Sequence, residues 1–169
     1  AFRASGEVRR VCPPANRPAS RRSVDEIEPV GDVGAGTMGN GSAQGAATAG
    51  YDVLMRDIEE EYVENGLSAI DDSLSRLVAN DTITETEKAD AQARLTGTTD
   101  LGRLAEADIV VEAAVEKMDI KRDIFADLDD VVDEDVVLAT NTSTLSITTI
   151  AAATARPEQV VGLHFMNPV

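Results

Sequence analysis

Short apolar runs along this chain alternate with stretches whose apolar residues recur every three or four positions. The runs Val30–Val33, Tyr51–Met55, Asp108–Ala114, Val136–Thr140 and Val160–Phe165 predict strands. Val63, Leu67, Ile70, Leu74, Leu77 and Val78 fall on one face of an amphipathic helix. Gly39–Ala49 is small and apolar enough for a close-packed helix, and Met118–Val132 and Ser146–Ala153 predict two more. Thr84 and Glu87 have the spacing of a capping box, opening a helix that ends near Leu95. Strands alternating with helices require crossover connections and therefore a parallel sheet. The stretches DIVVEAA and DVVLAT are almost continuously apolar, as in strands covered on both faces. The expected class is α/β, with a mostly parallel sheet.

Two regions depart from the pattern. The first strand carries Pro29, Gly31 and Asp32 where a buried strand favours β-prone apolar residues, and Ser42 and Gly45 interrupt the following helix. An intact strand there would oblige Asp32 to find a partner or a water. Residues 1–26 hold Pro13, Pro14 and Pro18, arginine pairs and no periodicity, which reads as a disordered or artefactual basic tail. The folded domain is expected over residues 27–169.

Composition narrows the possibilities. With aromatics at 3% and no Trp, the core must be built from Ala, Val, Ile and Leu. The formal charge is -16, and Lys88, Lys117 and Lys121 are the only lysines. Such a surface repels nucleic acid and anionic membranes, so neither is expected as a partner. Its carboxylate density resembles that of proteins from salt-loving microbes, and salt adaptation is expected. Cys12 stands alone, so the chain can build no disulfide framework or thiolate zinc site of its own. There is no apolar run of membrane-spanning length and no apolar leader, and a cytoplasmic protein is expected.

The sequence GAGTMG places Gly34, Gly36 and Gly39 at G-x-G-x-x-G spacing, with Thr37 and Met38 between them. The first glycine permits a tight turn, the second lets backbone approach a pyrophosphate, and the third lets helix and strand pack closely. The free N–H groups of the helix start then face the anion. A glycine-rich loop alone is common. Here it opens a helix, and Asp57 closes the next strand about 20 residues on, where a carboxylate accepts hydrogen bonds from ribose hydroxyls and repels a 2′-phosphate. This favours NAD over NADP; Arg56 beside it pulls the other way. The fold expectation sharpens to a Rossmann-type doubly wound sheet. Methyltransferases also carry glycine-rich loops, and fold does not fix function.

His164, the only histidine, ends the last predicted strand, at the rim where ligands of parallel sheets gather. Read from the residues alone, it is a core histidine, Ser143 a helix-entry cap, and Glu116 and Lys121 a surface acid and base. Four motifs in order change that reading: GAGTMGNG, VVEAAVEKMDIK, NTSTLSI and GLHFMNPV. Together they resemble the NAD-binding domain of the L-3-hydroxyacyl-CoA dehydrogenases, which include the 3-hydroxybutyryl-CoA dehydrogenases.

The resemblance implies an oxidoreductase of fatty-acid β-oxidation or butanoate metabolism, passing hydride from an acyl-CoA substrate to NAD. It implies pyrophosphate on Gly34, Gly36 and Gly39 with Thr37 and Met38 beside it, and Asp57 on the adenosine ribose. Glu116 and Lys121 would lie near the nicotinamide half and Asn141 at the cofactor edge. Ser143 would contact substrate and cofactor, His164 would be the catalytic base, and Asn167 would follow it on the substrate side. The resemblance also implies a glutamate beyond Val169 that orients His164. A C-terminal helical domain, absent here, would complete the acyl-CoA cleft and the homodimer interface. The chain is thus expected to be a fragment that binds NAD and turns over little alone; the alternative is an NAD-binding module with no chemistry of its own.

Overall fold

The computed structural model describes Ile27 and residues 29–166. The expected tail 1–26 and Asn167 lie outside the described residues. Among the described residues six strands form one sheet: β1 (Val30–Val33), β2 (Val53–Arg56), β3 (Leu95–Thr98), β4 (Ile109–Glu112), β5 (Val137–Thr140) and β6 (Val160–Gly162). Every neighbouring pair is parallel, in the order β3-β2-β1-β4-β5-β6. This is the doubly wound Rossmann order, whose switch point lies between β1 and β4.

Helices α1 (Thr37–Thr48), α2 (Glu60–Ala79) and α3 (Glu85–Ala93) cover one face, and α4 (Met118–Val131) and α5 (Ile147–Ala151) the other. Alternation along each strand sorts side chains between the layers. Val53 and Met55 join Ala43, Ala47, Ile70 and Leu74 beneath α1–α3. Leu54, between them, faces Val110, Phe125, Leu128 and Leu138 beneath α4 and α5. The heptad-like apolar face of α2 is buried at Val63, Ile70 and Leu74, with Glu60 and Glu61 in its first turn and Arg76 in its last, as the helix dipole favours. The capping box of α3 is present: Glu87 N–H donates to Thr84 Oγ1 at 3.2 Å, and Thr84 N–H donates to Glu87 Oε2 at 2.7 Å. No described helix is long and apolar enough to cross a membrane.

One expectation holds against its composition, and two change. Strand β1 is intact despite its composition, because β2 and β4 pair with it on both sides. Gly31 has a packing reason: a Cβ there would meet Leu104 Cδ2 at 3.0 Å and Val110 Cγ2 at 3.1 Å. Strand β3 is additional to the strands read from the sequence. It is an edge strand of sequence LTGT with no fully buried residue, too short and too exposed to show as an apolar run. Its Gly97 admits α2, since a Cβ would lie 2.4 Å from Val63 Cγ1. Strand β6 stops at Gly162, so His164 lies two residues past the strand rather than on it.

Candidate functional site

In parallel strands all C-terminal ends share one rim, and here that rim gathers the motifs. The turn after β1 uses its three glycines for three different reasons. Gly34 has a φ of +108°, a left-handed conformation that an L side chain resists, and Ala113 backbone passes 3.0 Å from where a Cβ would sit. Gly39 allows α1 to meet the turn, because a Cβ would lie 1.6 Å from the Gly34 carbonyl oxygen. Around Gly36 no described residue lies within 4 Å of a Cβ position, so its side is open among the described residues. Gly36 is also the N-cap of α1, and no side chain caps that helix. Uncapped amides beside open space fit the pyrophosphate of a dinucleotide.

Asp57 follows β2 and braces this turn. Its Oδ2 accepts from Ala35 N–H at 2.7 Å and its Oδ1 from Ile58 N–H at 2.7 Å. The neighbouring Arg56 turns toward the β3 side, where Nε donates to Thr99 O at 3.4 Å. Below the turn, Asp32 is 1% exposed. Ser42 Oγ lies within hydrogen-bonding distance of Asp32 Oδ2 and of Gly39 O, its one proton serving either, whereas Asp32 Oδ1 has no hydrogen-bond partner among the described residues. Burial pushes the Asp32 carboxyl well above the usual aspartate value, the Ser42 hydrogen bond opposes that, and the negative charge of Glu112 adds to it.

Across the rim, Ser143 Oγ and His164 Nε2 are 2.9 Å apart. Two contacts hold the segment after β6 to β5: Leu163 N–H donates to Thr140 O at 3.0 Å, and Phe165 N–H donates to Asn141 Oδ1 at 2.9 Å. Asn141 is itself buried, so its side chain serves the His164 segment. An open cleft of about 380 Å³ is lined by Met38, Asn141, Ser143, His164, Phe165 and Met166. Met38 belongs to the first turn of α1, so the glycine turn and the imidazole border one space. A second hollow, lined by Pro29, Asp52, Arg94 and Glu106 among others, opens at the other end of the strands, away from these motifs.

Lys121 is not the surface base of the plain reading, whereas Glu116 is exposed. Lys121 is fully buried and its Nζ donates to Glu112 Oε1 at 2.7 Å and Oε2 at 2.9 Å. Nζ also lies 3.6 Å from Glu116 Oε2. Glu116 Oε1 accepts from the Thr142 hydroxyl, from Ser143 N–H at 3.1 Å and from Thr144 N–H at 3.3 Å. Partial burial raises the Glu116 carboxyl, but the Thr142 hydroxyl, the Thr144 amide, the Lys121 ammonium and the Ser143 amide outweigh it and hold it below the usual glutamate value. Glu112 escaped the reading of the sequence. Its signal was there: an acid closing an otherwise apolar buried strand needs a counter-charge.

Residues 29–169 match the family described as 3-hydroxyacyl-CoA dehydrogenase, NAD binding domain. The 3-hydroxybutyryl-CoA dehydrogenase of Bradyrhizobium diazoefficiens is 45% identical over 143 residues, covering 85% of this chain and 49% of that protein. Among solved structures, FadB2 of M. tuberculosis superposes with a TM-score of 0.83 at 47% identity, over 85% of this chain and 50% of that one. The (S)-3-hydroxybutyryl-CoA dehydrogenase of Ralstonia eutropha gives the same TM-score, 0.83, at 47% identity, over 85% and 50% of the two chains. The chain spans about half the length of the curated relatives it matches.

Proposed function

Because this chain belongs to the 3-hydroxyacyl-CoA dehydrogenase family, as an NAD-binding domain, we propose that the full-length protein oxidises a 3-hydroxyacyl-CoA to the 3-oxoacyl-CoA. The carrying observation is the shared cleft, which Met38 of the glycine turn lines together with Ser143 and His164. Bound NAD supplies the hydride acceptor. The protein's own residues do the rest. The glycine turn offers its amides to the pyrophosphate, with Thr37 beside it, and Asp57 keeps acceptor capacity for ribose hydroxyls while bracing Ala35. His164 takes the hydroxyl proton on Nε2, and Ser143 Oγ, 2.9 Å away, holds the substrate oxygen against that nitrogen. Asn141 keeps the imidazole segment at the rim, and Glu116 stands on the nicotinamide side; the family resemblance assigns Asn167 a substrate-binding role.

Calorimetric titration with NADH tests the cofactor half of this reading. Gly36→Val fills the open side of the turn, and Asp57→Ala removes a charged acceptor, a loss of about 1.5–3 kcal/mol or roughly tenfold or more in affinity. Both variants binding as tightly as the parent would end the assignment. Salt adaptation, a cytoplasmic location and dimerisation through a segment outside this chain complete the proposal. For the first, melting temperature should climb into molar KCl as like charges are screened, and a flat response in a thermal scan removes it.

A further inference from the structure

A buried polar chain stands behind the cleft, and the proton transfer does not itself use it. Glu112 closes β4, Lys121 lies in the first turns of α4, and both side chains are 0% exposed. Beyond the two bonds from Lys121, the Glu112 carboxylate accepts from Thr140 Oγ1 at 2.8 Å and from Ala114 N–H at 2.7 Å. Donors from β5, α4 and the loop after β4 therefore converge on one carboxylate. Lys121 is pinned by this, and the rest of its reach is Ala114 O at 3.4 Å and Glu116 Oε2 at 3.6 Å.

One buried ammonium thus serves two carboxylates, and the second is half-exposed and turned toward the site. Its Oε1 gathers the Thr142 hydroxyl and the amides of Ser143 and Thr144. Thr142 Oγ1 accepts from Leu145 N–H at 3.0 Å, which closes the turn on itself. The turn that carries Ser143 therefore has two attachments: to β5 through the chain, and to β4 and α4 through Glu116. For stability alone a well-packed apolar pair would serve as well as a buried ion pair, so its place on the catalytic rim asks for another reason.

We propose that Glu112 is a positioning residue for the Ser143–His164 pair. It fixes Lys121, Lys121 sets Glu116 against residues 142–144, and Ser143 Oγ is thereby held at the imidazole. The inference rests on the reading of Ser143 and His164 as the working pair.

His164 is the only imidazole in the chain, so its ring nitrogen resonances can be followed without overlap in the 15N-histidine-labelled full chain. Ser143→Ala should displace the Nε2 resonance by removing its partner. Glu112→Gln combined with Lys121→Met, which removes both buried charges together, should reproduce roughly half or more of that displacement while distant backbone amides stay in place. In a Glu116→Ala background the same pair of changes should add nothing, since the link is already cut. Should the doubly neutral variant not fold, Glu116→Ala alone decides: a displacement like that of Ser143→Ala supports the proposal, and a wild-type resonance overturns it. If Ser143→Ala moves Nε2 but neither network variant does, positioning is refuted and the working pair stands. If Ser143→Ala itself leaves Nε2 unmoved, the pair and the proposal both fall.

Discussion

Two carboxyl groups are fully buried on neighbouring central strands, one residue apart in register: Asp32 on β1 stands opposite Val111, and Glu112 on β4 stands opposite Val33. They face opposite layers. Glu112 points toward α4 and meets an ammonium, a hydroxyl and an amide. Asp32 points toward α1 and meets one hydroxyl, leaving an oxygen without a partner among the described residues. Burial is common to both, so burial does not explain how they differ. Their partners do: Glu112 meets a cation and several hydrogen-bond donors, whereas burial with a single hydroxyl for company drives the Asp32 carboxyl toward its neutral form.

The largest expected effect comes from breaking the paired side. Glu112→Ala strands Lys121 in the interior and should cost about 3–5 kcal/mol in urea unfolding, whereas Glu112→Met with Lys121→Met should fall near the parent. A Glu112→Ala variant as stable as wild type would mean the two carboxyls are alike after all.

Asp32→Val should do the reverse and raise stability at neutral pH by about 1–3 kcal/mol, since it removes an incompletely partnered polar group and Ser42 keeps Gly39 O as its acceptor. The pH dependence has a definite sign. The folded-state pKa of Asp32 is raised, so the folded chain holds its proton where the unfolded chain has lost it. The contribution of Asp32 is fully favourable below the unfolded value of about 4 and is lost as pH rises toward the folded value. The advantage of Asp32→Val should therefore shrink as pH falls to about 4; an advantage independent of pH would show that packing, not ionisation, is responsible.

Glu116 sharpens the comparison with the smallest effect. Its folded pKa is lowered, so its contribution is present above the unfolded value and disappears as pH falls through the folded one. Across the acid range Glu116 and Asp32 thus have opposite slopes. With 39% of its side chain exposed, Glu116 is well screened, and Glu116→Gln should cost less than about 1 kcal/mol at neutral pH, and less again in concentrated salt. A larger, salt-insensitive loss in denaturant titration would place it with Glu112.

Much of the molecule was legible because periodicity reports burial. The apolar face of α2 and the runs of β4 and β5 announce elements covered by others, and the Thr84–Glu87 box marks its helix start from four residues. Local pattern was weakest where pairing decided. Strand β1 survives Pro29, Gly31 and Asp32 because two neighbours hold it, and β3 exists because β2 offers it an edge. In the site, GAGTMG and Asp57 are read from spacing, and the remaining motifs from resemblance. Glu112 was passed over because a single acid in an apolar run shows a need and not its answer.

The chain's own order of residues determined the alternation of strand and helix, the glycine turn and the family. Folding alone decided that Lys121 answers Glu112, that Asp32 Oδ1 finds no hydrogen-bond partner among the described residues, and that Ser143 comes within 2.9 Å of His164. The reason is that side-chain periodicity states which face of an element a group takes. The atoms waiting on that face arrive from other elements, and only packing brings them there.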